Sequence, residues 1–372
     1  LRSPYQKAMI TLHDRALLYF QLKHSLFSPS DSHRFKTLDK THTVIQTGYP
    51  LLQKETKGLP LSELETTILN QFYGVIQQYK MLDETSLFHV IPGDTDPSNP
   101  QEWRSLASRV AQLFHDTSLP PLLTDYAQMF DHYQSHDSSA FNRVSQDLLH
   151  TYSQLSPSLM KRVKFEVFFN QLSPFYCAIV LFVLSLVFLF LSFLIWPRVL
   201  GTLSSQCVWI GFGLHTFGLI TRMILQGRPP VTNLYSSAIF VGWVAILIGL
   251  LLERLYRNKM GLLVSAFIGF LTLVIAHNLS LQGDTLEMMQ AVLDTNFWLA
   301  THVVTITMGY SGTFLAGLLG IIFIIRGVFT RSFDQKTQRE IARMVYGIIC
   351  FSLLFSFVGT ILGGIWADQS WG

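Results

Sequence analysis

The 372 residues are 49% hydrophobic and only 14% charged, with a formal net charge of +3 and a mean hydropathy of +0.33. That balance excludes a single soluble domain, and the charge is too small for a nucleic-acid partner. Residues 1–170 hold 16 Lys+Arg against 17 Asp+Glu, whereas residues 171–372 hold 11 against 7 and consist mostly of long apolar runs. The expected organisation is therefore a soluble front half, 1–170, and a membrane half, 171–372.

In chain order, residues 4–26 carry Tyr5, Met9, Leu12, Leu17 and Phe20 at near-helical spacing, and Ser28-Pro29-Ser30-Asp31 breaks the pattern. Residues 41–52 are expected to bend, because Gly48 and Pro50 interrupt them. A helix is predicted from Leu61 to about Met81, with Leu64, Ile68, Phe72, Val75 and Ile76 on one face. The Pro- and Asp-rich segment 90–100 reads as a solvated turn, since Asp94 and Asp96 lack the further acids and closing Glu of a calcium loop. Residues 103–115, 122–134 and 138–155 are expected to form three more helices.

Nine of the twelve histidines lie in this half, yet only His132 and His136 have i,i+4 spacing, and no third ligand accompanies them. No nucleophile elbow, phosphate loop, zinc-protease motif or dinucleotide turn occurs. Cys177, Cys207 and Cys350 fall in apolar runs with no ligand spacing, and read as small buried hydrophobes. The chain opens on Leu1, with no charged stretch leading an apolar one, so no signal peptide is read.

Six apolar runs long enough to span a bilayer follow, at about 176–196, 203–225, 235–252, 260–276, 297–325 and 345–365. Their connections alternate in charge. One side carries Arg198, Arg254, Arg257, Lys259, Arg326, Arg331, Lys336, Arg339 and Arg343, and the other only Arg228 and, near a helix end, Arg222. By the positive-inside rule the basic side is cytoplasmic. The front domain, the 278–296 connection and the last residues then face outward. The expected fold is all-α: a polytopic bundle of about six transmembrane helices after an extracytoplasmic helical domain.

Ionisable residues inside spans are costly and are functional candidates. His302 enters the fifth span about one turn from the outer boundary, level with Trp366 and Trp371 at the end of the sixth. Its imidazole could bind iron through a neutral nitrogen, or simply bond a carbonyl at a helix end. The two tryptophans, with Asp368 and three glycines between Gly363 and Gly372, could form an aromatic shelf for a planar ligand or an ordinary interfacial belt. His215 lies mid-span, as a haem or quinone ligand or as a histidine bonded within the bundle. Arg222 is placed to meet a propionate or an outer-loop acid, and His277 is read as interfacial. Gly309, Gly312, Gly317 and Gly320 are expected to let helices approach closely.

Gly363-Gly364-Ile365-Trp366-Ala367-Asp368-Gln369-Ser370-Trp371-Gly372 resembles the opening half of the tryptophan-rich WWD signature of haem-handling membrane proteins, the superfamily of CcsA (ResC), CcmC and CcmF. Trp298-Leu299-Ala300-Thr301-His302-Val303, continuing to Met308-Gly309-Tyr310, resembles the CcsA segment Trp-Leu-x-x-His-Val…Gly-Tyr, whose histidine is an axial haem ligand. The segment from Gly227 to Ser237 is similar to the family's Gly-His-x-Pro-x-Ser-Asn-x-Tyr-Glu-Ser, with Arg228, Thr232 and Ser236 replacing His, Ser and Glu. The resemblance covers about residues 212–372. Residues 126–142 followed by Phe165-Glu166-Val167-Phe168-Phe169-Asn170 resemble, more weakly, the extracytoplasmic region preceding the CcsA core in some fused bacterial forms.

That resemblance implies a membrane subunit that presents haem b on the outer face of the bacterial inner membrane and helps attach it to apocytochrome c. In that role His302 is the iron ligand, Trp298, Trp366 and Trp371 lie against the porphyrin, and Asp368 orients the segment. The implied partners are a CcsB/ResB-type protein, separate or fused upstream, apocytochrome c with its CxxCH motif, and a thiol-reducing partner. The family's second outer ligand lies past Gly372, so the chain is expected to be incomplete within the signature. The competing class is a transporter or membrane scaffold, for which an inverted repeat is expected, and none is legible between spans one to three and four to six, while a haem exporter without ligation activity would share the same binding residues.

Overall fold

The computed structural model describes residues 3–24, 33–93, 96, 99, 102–116, 118–281, 285, 295–329 and 334–371. The chain divides into two compact units, residues 1–163 and 164–372.

In the first unit, α1 (Pro4–His24), α2 (Arg34–Thr56) and α3 (Glu63–Thr85) precede a two-residue ladder of β1 (His89–Ile91) and β2 (Arg104–Ser105). Then come α4 (Leu106–Ala111), α5 (Pro121–Gln134) and α6 (Ser138–Leu155). The expected break at Gly48 and Pro50 is absent: α2 is continuous through both. Packing overrides propensity here, because α2 buries Leu38, Thr41, Ile45 and Gly48 on one face, and a Cβ at Gly48 would collide with Phe72 of α3.

The start of α3 is fixed by a capping box, in which Ser62 Oγ accepts from Glu65 N and Glu65 returns a bond to Ser62 N. Its buried residues are Leu69, Phe72 and Tyr79, while Leu64, placed on the core face from sequence, is 73% exposed. The helix expected over 103–115 is shorter, with β2 before it and a 3₁₀ turn at Leu113–His115 after it. The core gathers Leu38, Ile45, Leu69, Leu106, Leu113 and Leu123. His136 sits beyond the end of α5 at φ 59°, so it does not share a helix face with His132. The described residues hold no cluster able to take a metal ion. Asp94 lies outside them, and Asp96 N donates to Glu102 Oε2.

α7 (Pro157–Leu172) leads into the second unit and was not foreseen as a separate helix. It is followed by α8 (Pro174–Leu191), α9 (Pro197–Gln226), α10 (Leu234–Tyr256) and α11 (Met260–Ser280). A helical segment Asn296–Phe329 and α14 (Gln335–Trp371) complete the unit. Among the described residues, six helices are long and apolar enough to cross a membrane. The fold is thus an all-α polytopic bundle, as the apolar runs predict.

α8 packs on α9 and α10 on α11. Their shared core includes Phe182, Val208, Ile239, Ile246 and Leu273. The basic connections meet at one end: Lys259 Nζ donates to Ser192 Oγ at 3.1 Å and to the Pro197 carbonyl at 3.2 Å, and Asn258 Nδ2 donates to Glu340 at 3.1 Å. The cysteines are not buried as expected. Cys350 is exposed on α14 and the other two are half-buried, which suits an apolar thiol facing lipid.

Candidate functional site

The fifth span is built in three pieces, α12 (Asn296–Trp298), a π turn at Leu299–Val303 and α13 (Val304–Phe329). Thr295 caps it by accepting from Trp298 N at 3.4 Å. The π turn inserts one extra residue into the helical winding and re-aims the side chains on it, and such turns recur where a side chain has a special task. His302 lies within it.

α14 supplies the other wall. It packs along α13, where Gly309 and Gly312 let Ser356 and Ser352 approach. Gly317 and Gly320 have nothing within 4 Å, so half of the expected glycine contacts are absent. Two turns higher, Gly359 and Gly363 form a notch. A Cβ at Gly359 would lie 2.9 Å from Ile306, and one at Gly363 would lie 2.7 Å from His302 Cε1.

Into that notch the half-buried imidazole fits. His302 Nδ1–H donates to the Gly359 carbonyl at 2.8 Å. A carbonyl can only accept, so the bond puts a proton on Nδ1, and in the neutral ring the lone pair is then on Nε2. Histidines that ligate metals are commonly oriented in this way.

Trp366 stands beside the ring, with centroids 5.6 Å apart and planes inclined by 56°. Trp298, 9% exposed, lies nearly parallel to Trp366 at 6.4 Å and 16°. A planar ligand sandwiched between two rings needs about 3.5 Å of contact distance on each face, or about 7 Å in all. As placed, the two indoles form a single wall beside His302. Trp366 Nε1 is buried without a hydrogen-bond partner among the described residues. A desolvated donor of this kind is uncommon and invites an acceptor from beyond the described residues.

The structure therefore brings together Trp298, His302 and Trp366, and their chemistry fits haem: an imidazole held at Nδ1 by a carbonyl, next to aromatic surface and an N–H without a partner among the described residues. Residues 363–371 continue α14 as helix, and Asp368 is exposed on its last turns. The side chain of Trp371 lies outside the described ones.

His215 and Arg222 belong to other parts of the bundle. His215 is fully buried on α9, donating from Nε2 to the Ile239 carbonyl at 3.0 Å and meeting Phe175 edge-on. Arg222, 5% exposed, donates to the Thr285 carbonyl at 2.6 Å and to its hydroxyl at 3.3 Å, and lies over Tyr235. His277 is exposed and lines a cavity with Arg222, Tyr235 and Thr285.

Sequence reasoning missed several structural contributors. Asn233 caps α10 through Ser236 N at 2.8 Å and also donates to the Thr285 carbonyl at 3.0 Å. Ser236 Oγ accepts from Thr232 N and Asn233 N at 2.9 Å each, so the Thr-Asn-x-x-Ser stretch closes a turn. Gly359 was also overlooked and Gly363 was read only as part of the aromatic shelf, although their Gly-x-x-x-Gly spacing is a readable signal for close helix approach.

Residues 231–372 match the family described as cytochrome C assembly protein. The chain is similar to Protein NrfI of Wolinella succinogenes, 27% identical over 316 residues, covering 78% of this chain and 33% of that protein. It is also similar to the cytochrome c biogenesis protein CcsA of Trieres chinensis, 25% identical over 245 residues, covering 56% of this chain and 77% of the relative. The CcsA of Chlamydomonas reinhardtii is 28% identical over 165 residues, covering 41% and 45% respectively. The chain thus spans about a third of NrfI and under half of the Chlamydomonas reinhardtii CcsA. From residue 231 onward the membrane half thus matches the cytochrome c assembly protein family, and that half is similar to CcsA proteins of cytochrome c biogenesis.

Proposed function

We propose that this chain is a haem-handling membrane subunit of cytochrome c assembly, working as part of a holocytochrome c synthase. It receives haem b as substrate on the extracytoplasmic side of the bacterial inner membrane and presents it to the CxxCH motif of apocytochrome c. The observation that carries this reading is the His302 Nδ1 bond to the Gly359 carbonyl beside Trp366, which leaves Nε2 as the ligating nitrogen.

In the reaction each substrate thiol adds across a vinyl double bond of the haem. A carbon–sulfur bond forms, the π bond breaks, and the thiol proton ends on the neighbouring carbon with no net change of oxidation state. No nucleophile from this chain is needed. Its part is to hold the macrocycle so that vinyl groups and thiols meet, which is catalysis by positioning. Because the thiols must arrive reduced, the reading includes a thiol-reducing partner, and a CcsB/ResB-type protein completes the assembly.

The charge asymmetry supports the orientation, since the basic connections share one end and the His302 site belongs to the other. In the full-length protein, His302→Ala is expected to lower bound haem and abolish cytochrome c maturation, and added imidazole to restore both in part. His277→Ala, at similar depth, is expected to do much less. Normal maturation in His302→Ala would make His302 a helix-end residue and end the haem assignment.

A further inference from the structure

The notch of α14 that receives His302 does more than permit close packing. Gly359 and Gly363 are four residues apart and so lie on one face, one turn from each other. Gly359 offers its carbonyl to Nδ1 at 2.8 Å. Gly363 closes over the same edge of the ring: a Cβ built there would lie 2.7 Å from Cε1, 3.1 Å from Nδ1 and 3.2 Å from Nε2. The imidazole is thus held by a hydrogen bond on one glycine and by the missing side chain of the next. Its neighbour Gly364 has nothing within 4 Å of such a Cβ, so the demand for glycine is specific to position 363.

We propose that the Gly359–Gly363 notch is the positioning element that sets the tautomer and the place of the His302 ring, with Gly363 as the residue that decides whether Nε2 reaches the iron. The inference rests on the functional reading above. Any side chain at 363 must displace the imidazole, because the opposing atoms are in the ring itself. The ring is tethered through Cβ to the π turn, so it can yield only by turning away from the Gly359 carbonyl. That breaks the bond fixing Nδ1–H and moves the ligating nitrogen. Losing an outer partner of a metal-bound histidine typically weakens metal affinity about 10–100-fold.

The test compares Gly363→Ala with Gly364→Ala in the full-length protein, by haem titration and by the absorption spectrum of the bound haem. Gly363→Ala is expected to weaken haem binding roughly 10–100-fold and to alter the spectrum of the haem that remains, while Gly364→Ala matches the wild type. A second arm repeats Gly363→Ala in a His302→Gly background supplied with free imidazole. An untethered imidazole can shift by the few tenths of an ångström required, so the extra methyl is expected to cost little there.

Should Gly363→Ala fail to accumulate, the double variant with His302→Gly is expected to recover, since it removes the ring that the methyl strikes. Wild-type haem affinity and spectrum in Gly363→Ala, an equal loss in both backgrounds, or no recovery by the double variant would each overturn the proposal. The functional reading is judged separately. If His302→Ala keeps its haem, that reading falls, and if only Gly363→Ala is silent, the positioning role alone falls.

Discussion

Replacing Trp366 by Phe deletes one indole N–H and keeps an aromatic ring in the wall. Nε1 is buried without a hydrogen-bond partner among the described residues. Leaving such a donor unpaired costs about 1–3 kcal/mol, which phenylalanine would recover. Against that gain stands a weaker stack on Trp298, now 6.4 Å away and inclined by 16°, where an aromatic pair contributes about 0.5–1.5 kcal/mol beyond its buried area. The two effects oppose each other and net to between about 0.5 kcal/mol lost and about 2.5 kcal/mol gained, so the haem-free protein should not be strongly destabilised. With haem bound the balance differs. If the N–H donates to a charged group of the ligand, its loss removes about 1.5–3 kcal/mol, or roughly 10–100-fold in affinity. Haem titration of Trp366→Phe in detergent, paired with the unfolding midpoint of the haem-free protein, separates the two. A large loss of stability without haem would show that Nε1 has a structural partner in the fold. Unchanged haem affinity would show that it does not face the ligand.

At the seam of α13 and α14, Gly309→Ala places a Cβ 2.9 Å from the backbone nitrogen of Ser356, so the helices must part. A cost of about 1–3 kcal/mol is expected, read as a lower midpoint in detergent unfolding, while Gly317→Ala, with nothing within 4 Å, stays near wild type. In the first unit, Lys54 and the Ser62 N–H hold the Glu65 carboxyl at about 2, below its usual 4.5. A depressed folded pKa contributes stability above the unfolded value and loses it as pH falls toward about 2, so Glu65→Gln should flatten denaturation midpoints through that acid window. Removing the same cap with Ser62→Ala should cost about 1 kcal/mol in chemical denaturation at neutral pH. Residues 1–163 expressed alone should be soluble and helical, and a Soret band in that fragment would put the cofactor in the wrong half. For sidedness, a cysteine at Ser280 should react with an impermeant maleimide from outside intact cells and one at Asp334 should not.

The spans were legible because long apolar runs leave a bilayer-sized segment few alternatives. Their ends were less so. α9 begins at Pro197 rather than near Leu203, since proline fits the first turn of a helix. His302 was legible from depth and charge, but its partner was not. Nothing in a sequence says that a carbonyl at Gly359, 57 residues away, will meet Nδ1. The Gly-x-x-x-Gly pair was present to be read and was passed over for the richer glycine series on α13, of which only Gly309 and Gly312 meet α14. Pro50 and Gly48 misled for the opposite reason. Their local preference for a bend was outweighed by the buried face that α2 shares with α3.

The central claim, that the side chain at position 302 holds the haem iron, is tested most directly by exchanging the ligand rather than deleting it. In His302→Cys the thiol would take up iron as a thiolate, whose donor strength differs from that of imidazole and changes the spectrum in kind. The predicted result is a protein that still binds haem, with a thiolate-type absorption and electron paramagnetic resonance signature replacing the histidine one. Haem bound to His302→Cys with the wild-type spectrum would contradict the account, because the iron would then be held elsewhere.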